Sequence, residues 1–127
     1  MFSFSPHTRV YLAKDATDMR KSFRGLLILT EAVLQREPAS GHLFVFLNRR
    51  RDLMKILYWE NTGYVIWYKR LEQGKFQLPD SLATADASGV ELSSSQLSLI
   101  LHGIDLRSVR QRLRYQGRPA DPHPTRT

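Results

Sequence analysis

The 127-residue chain has no cysteine. Disulfides and thiolate metal sites are therefore excluded, and the composition fits a reducing cytoplasm. No apolar run approaches the ~20 residues of a membrane-spanning helix. The N-terminus has no charged region followed by an apolar stretch, so no secretory signal is expected. The four histidines, His7, His42, His102 and His123, are scattered without ligand spacing, so no metal is expected. His42, beside an apolar run, reads as structural. There is no P-loop, no nucleophile elbow and no obvious carboxylate set for two-metal chemistry. Asp15 and Asp18 would share a helix face only if both were helical, and Asp15 precedes the expected helix start. The expectation is a protein with no catalytic residues and no cofactor.

Acidic residues are the scarcer charge. Nineteen Lys and Arg face twelve Asp and Glu, leaving a net charge of +7. Such a field attracts polyanions. The cations concentrate in two places, residues 38–78 and the segment after 105. Between them, residues 79–104 carry three carboxylates, Asp80, Asp86 and Glu91, and no Lys or Arg. A hydrophobic share of 42% is enough for one core.

Residues 8–12 alternate as a short strand, with Val10 and Leu12 on one face. Thr17 reads as a helix N-cap, with Asp18 in the first turn. Met19, Phe23, Leu26, Leu27, Thr30, Val33 and Leu34 then recur at helical spacing as one buried stripe, closed by Pro38. From His42 the period changes. Residues 43–47, 53–59, 64–68 and 75–78 are aromatic and β-branched, separated by turn chemistry at 48–52, 60–63 and 71–74. Connections this short join antiparallel neighbours. Residues 79–91 read as a loop. Ser93 with Gln96 makes a capping box for a helix with Leu97, Ile100 and Leu101 on one face, and Gly103 is placed as its left-handed cap. The expected fold is one α+β domain over residues 1–105: a four-stranded antiparallel meander covered by one long helix, plus a short C-terminal helix. Residues 106–127 read as a basic tail, disordered by itself.

A meander places its first and third turns at one sheet end. Arg49, Arg50 and Arg51 occupy the first, and Lys69, Arg70 and Lys75 flank the third. Six cations would thus converge as a phosphate-backbone platform, against the alternative of solvated turn residues. Arg20, Lys21 and Arg24 form a second cluster at the expected helix start. They suit a phosphate there, or pair with Asp15 and Asp18. Tyr58, Trp59, Tyr64, Trp67 and Tyr68 either stack on bases or build the core, and core packing is the usual role of strand aromatics.

Three stretches resemble a known family. They are residues 17–26 (TDMRKSFRGL), the series 41–46, 48–50, 55–59, 68–72 and 74–76, and residues 92–105. In this order they resemble the TnpB-type accessory protein of the insertion sequence 66 family of bacterial transposable elements. The resemblance implies an element-encoded protein that assists DNA transposition beside a separate transposase. DNA at the element ends and that transposase are the implied partners, in a bacterial cytoplasm with no membrane role. Two hypotheses follow: a nucleic-acid-binding accessory factor, or an adaptor that docks the transposase without touching DNA. An exposed apolar face on the 97–104 helix would favour the adaptor. A basic surface joining the two clusters would favour DNA.

Overall fold

In the computed structural model, residues 5–84 and 88–102 are described. The strands are β1 (Val10–Ala13), β2 (Leu43–Leu47), β3 (Leu53–Glu60), β4 (Gly63–Arg70) and β5 (Gly89–Leu92). The helices are α1 (Phe23–Ala32) and α2 (Ser94–Leu101). They build an α+β domain around one five-stranded sheet of order β4-β3-β2-β1-β5. The β2-β3-β4 hairpins are as expected, with Phe44 opposite Leu57 and Lys55 opposite Tyr68.

The remainder of the sheet corrects the expected meander. Residues 75–78 form no strand. β1 instead pairs with β2 in parallel, Val10 beside Leu43, and β5 pairs antiparallel with β1. The sheet is therefore mixed. A parallel pair needs a long crossover, which residues 14–42 supply through α1. The missing strand has a physical cause. Phe76, 2% exposed, enters the core beneath the sheet, and Leu71 and Leu78 pack beside it. Their apolar surface closes a face of the sheet, and β4 stays an edge. Within the expected 79–91 loop lie a 3-10 turn, Asp80–Thr84, and β5.

Both faces of the sheet are covered, because its residues alternate. Val10, Leu12, Val45 and Ile56 face α2, packing with Leu97, Ile100 and Leu101. Tyr11, Phe44, Phe46 and Leu57 face α1, packing with Leu26 and Leu34. α2 begins with the expected capping box: Ser93 Oγ accepts from Gln96 N, and Gln96 Oε1 accepts from Ser93 N.

α1 is shorter than its stripe suggested. Its N-cap is Ser22, and it ends at Ala32. Thr17 is not its cap but is buried at the sheet end, where its N–H donates to the Leu47 carbonyl at 2.8 Å. Leu26 and Thr30 are buried, and Thr30 Oγ1 donates to Leu26 O. Phe23 and Val33 are largely exposed, so the stripe is narrower than expected. The chain leaves α1 through Gln35, whose φ of 55° breaks the helix before Pro38 is reached. Among the described residues no helix is long and apolar enough to cross a membrane. The cap expected at Gly103 and the tail 106–127 lie outside the described residues.

Candidate nucleic-acid interface

The β2–β3 turn is organised by Asn48. Its Oδ1 accepts from the N–H groups of Asp52 (3.1 Å) and Leu53 (3.0 Å), and its Nδ2 donates to Asp52 Oδ1 at 2.7 Å. That last bond, aided by the fields of Arg50 and Arg70, holds the Asp52 carboxyl below its usual range. Arg51 turns the chain in a left-handed conformation, φ 61°. The following segment is tied onto this turn. Leu71 N–H donates to Asp52 O and Phe76 N–H to Arg51 O, both at 2.8 Å.

These bonds place Arg49, Arg50, Arg51, Arg70 and Lys75 at one sheet end, all exposed. Among the described residues, Arg49, Arg50 and Arg51 make no ion pair. Arg70 pairs with Glu72 at 3.2 Å, both side chains largely in water. Lys69 departs from the expected set. It points to the α2 face of the sheet, where its Nζ donates to the Leu101 carbonyl at 2.9 Å and satisfies the end of α2.

The second cluster is not at a helix start. Arg20 and Lys21 lie in a turn before α1, closed by Lys21 N–H to Asp18 O at 3.1 Å. The Arg20 guanidinium grips the Asp18 carboxylate at 2.7–3.1 Å, the pairing weighed against the phosphate reading. The side-chain bond from Arg20, with the Arg20 backbone N–H second, lowers the Asp18 pKa to about 2. Lys21 is exposed, as is Arg24 in the first turn of α1. Lys55, only 8% exposed, holds this turn against the sheet, with Nζ donating to Met19 O (2.8 Å) and Lys21 O (2.7 Å).

The segment leading into the second cluster, residues 16–19, borders the arginine turn. One shallow cleft is lined by residues 16–19 together with Asn48, Arg49, Arg50 and Leu53. Leu53 also lines the next cleft, with Tyr68, Arg70 and Glu72. The other sheet end carries Glu60 and the Arg9–Glu91 pair at 3.9 Å. Most aromatics are core or half-buried: Tyr58 and Trp67 pack against the core of the α2 face, and Trp59 meets Tyr64 edge-on at 5.0 Å. Among the aromatics of β3 and β4, Tyr68 is the exposed one, 53% exposed with its ring centroid 4.7 Å from Lys55 Nζ. His42 is structural as expected, its Nδ1 accepting from Arg9 N–H at 3.0 Å. Lys55 and Asn48 were missed as organisers of this end. The available signal was a lone lysine inside an otherwise apolar strand.

The family of IS66 Orf2-like proteins matches residues 8–111. The chain belongs to that family. It is 36% identical over 107 residues to the uncharacterized protein y4hO of Sinorhizobium fredii (strain NBRC 101917 / NGR234), covering 84% of this chain and 90% of the relative. It is 30% identical over 104 residues to the uncharacterized protein y4jC of the same strain, covering 82% and 86%. No solved structure matches. As an IS66 Orf2-like protein, the chain is an insertion-sequence-associated accessory protein.

Proposed function

We propose that this IS66 Orf2-like protein binds the DNA of its element's ends through the cationic sheet end and assists a separate transposase there. The observation that supports the reading is the β2–β3 turn, which holds Arg49, Arg50 and Arg51 exposed at one sheet end beside Arg70 and Lys75, the three turn arginines making no ion pair among the described residues. Phosphate contacts supply most sequence-independent affinity for DNA, and they are made by exposed, uncommitted cations. Arg49, Arg50 and Arg51 meet that description, with Arg70, Lys75, Lys21 and Arg24 around them. Arg20 adds no net charge, because Asp18 neutralises it. The adaptor alternative looked to an exposed apolar face on residues 97–104, and of its described residues Leu97, Ile100 and Leu101 are packed into the core. The protein acts in the bacterial cytoplasm and carries out no strand chemistry. Asp18, the carboxylate in the cleft beside the arginine turn, is engaged by Arg20.

The test is a salt titration of purified protein on element-end and scrambled duplexes, with the R49A/R50A/R51A variant beside the wild type. Binding should weaken by a similar factor on every sequence. The log–log salt slope should flatten by about 0.9 for each phosphate no longer neutralised. A folded variant with unchanged affinity and slope would move the function to the adaptor reading. With magnesium or manganese, neither protein should nick or join the DNA.

A further inference from the structure

We infer that Tyr68 is a stacking platform for an unpaired base, so that the cationic sheet end takes single-stranded DNA in preference to duplex. The inference rests on the DNA-binding reading and names the form of DNA it takes. Tyr68 lies on β4, one of the two edge strands of the sheet. Its neighbours Tyr58 and Trp67 are packed against the core of the α2 face, whereas Tyr68 is 53% exposed. A large aromatic left in water on a cationic surface is the arrangement that single-strand binders use: cations follow the backbone while a ring accepts a base.

The local geometry suits that role. The ring rests on the ammonium of Lys55, which two backbone carbonyls hold in place. It is therefore positioned before any ligand arrives. A cation against a π-system draws electron density from it, and the ring becomes a better partner for an electron-rich base. Leu53 and Arg70 line the same cleft, offering an apolar side wall and a phosphate partner two residues along the strand. Glu72 also lines it, but its bond to Arg70 is a water-exposed pair of the weak kind that a phosphate displaces. Leu53 also lines the cleft of Arg49 and Arg50, so the cleft of Tyr68 adjoins the arginine turn. In a duplex the bases are stacked inside and their faces cannot reach Tyr68.

Fluorescence anisotropy with a labelled thymidine 20-mer, its duplex, an RNA strand of the same sequence and an abasic strand of equal length tests this on the full chain. The wild type should bind the single strand more tightly than the duplex at equal salt. Tyr68→Phe should keep that affinity. Tyr68→Leu, which keeps apolar cover without a flat ring, and Tyr68→Ala should each lose roughly fivefold or more on the single strand. The same variants should change duplex and abasic binding by less than about twofold. Wild-type affinity in Tyr68→Leu, or an equal loss on the abasic strand, would overturn the stacking role while leaving the DNA-binding reading intact. Tighter binding of the RNA would overturn the DNA assignment. Failure of the wild type to bind any of the four strands at low salt would instead remove the proposed function itself.

Discussion

The ammonium of Lys55 stands 2.7 Å from the carbonyl oxygen of Lys21, from inside the sheet to the turn that carries Arg20 and Lys21. A second bond, to Met19 O, fixes the same turn. This one buried cation sets the position of two exposed ones, Arg20 and Lys21. Its Cα partner across the hairpin is Tyr68, whose ring it also supports.

Replacing Lys55 by Met removes both bonds while keeping the apolar stem. Each hydrogen bond to a charged group contributes roughly 1.5–3 kcal/mol. The melting temperature should fall clearly, at about 4–8 °C per kcal/mol for a domain of this size. Calorimetry checks the first effect and single-strand DNA affinity the second, which should fall as well. An unchanged melting temperature would show that the turn is held by its own backbone.

Asp18 has a folded-state pKa of about 2, below its ordinary value of 3.8, because Arg20 bonds it. A depressed carboxyl contributes stability that is present above the unfolded value and lost as pH falls through the folded one. Wild type and Asp18→Asn should therefore differ by a constant melting temperature above about pH 5. The gap should shrink below about pH 4 and close near pH 2. A gap that persists at pH 2 would assign the stabilisation to something other than this carboxylate's charge.

Lys69 separates structure from binding. Its bond to Leu101 O places it at the end of α2, away from the proposed DNA surface. Lys69→Met should cost about 1–2 kcal/mol, as loss of a charged helix-end bond does. DNA affinity and its salt slope should stay within error of wild type in the same titrations. A shallower slope would return Lys69 to the phosphate-binding set.

Gly89 opens β5 opposite Ala13. A Cβ there would run into the Leu12 carbonyl oxygen and press on Leu34. Since backbone cannot yield as a side chain can, Gly89→Ala should destabilise by more than about 2 kcal/mol. Chemical denaturation measures it. A neutral result would mean that β5 moves off β1 at little cost.

Some of this fold was readable because local chemistry decides it. The hairpins follow from turn residues such as those at 48–52 and 60–63, and the α2 start follows from Ser93 and Gln96, three residues apart. The gathering of Arg49, Arg50, Arg51, Arg70 and Lys75 at one end needed only the alternation of antiparallel strands, and it stands although residues 75–78 form no strand. The family was legible too, since its residues recur in order along the chain.

What the sequence by itself determined is therefore whatever depends on neighbours within a few residues: turns, caps, periodicity and the sign of the charge. Tertiary structure alone decided the rest. β1 beside β2 and β5 beside β1 are pairings between distant segments, favoured by which faces can be buried together and carrying no local signature. The same competition sent Phe76 into the core in place of a fourth hairpin strand, and shortened α1 once the chain at Thr17 was bound to Leu47. It also sorted the cations. Lys55, Lys69 and Arg49 are all cations of the same hairpins, yet Lys55 is clamped under a turn, Lys69 is bound to a helix end and Arg49 remains in water. Only packing distinguishes them, because a cation's role depends on which carbonyls, rings and solvent the folded chain places around it.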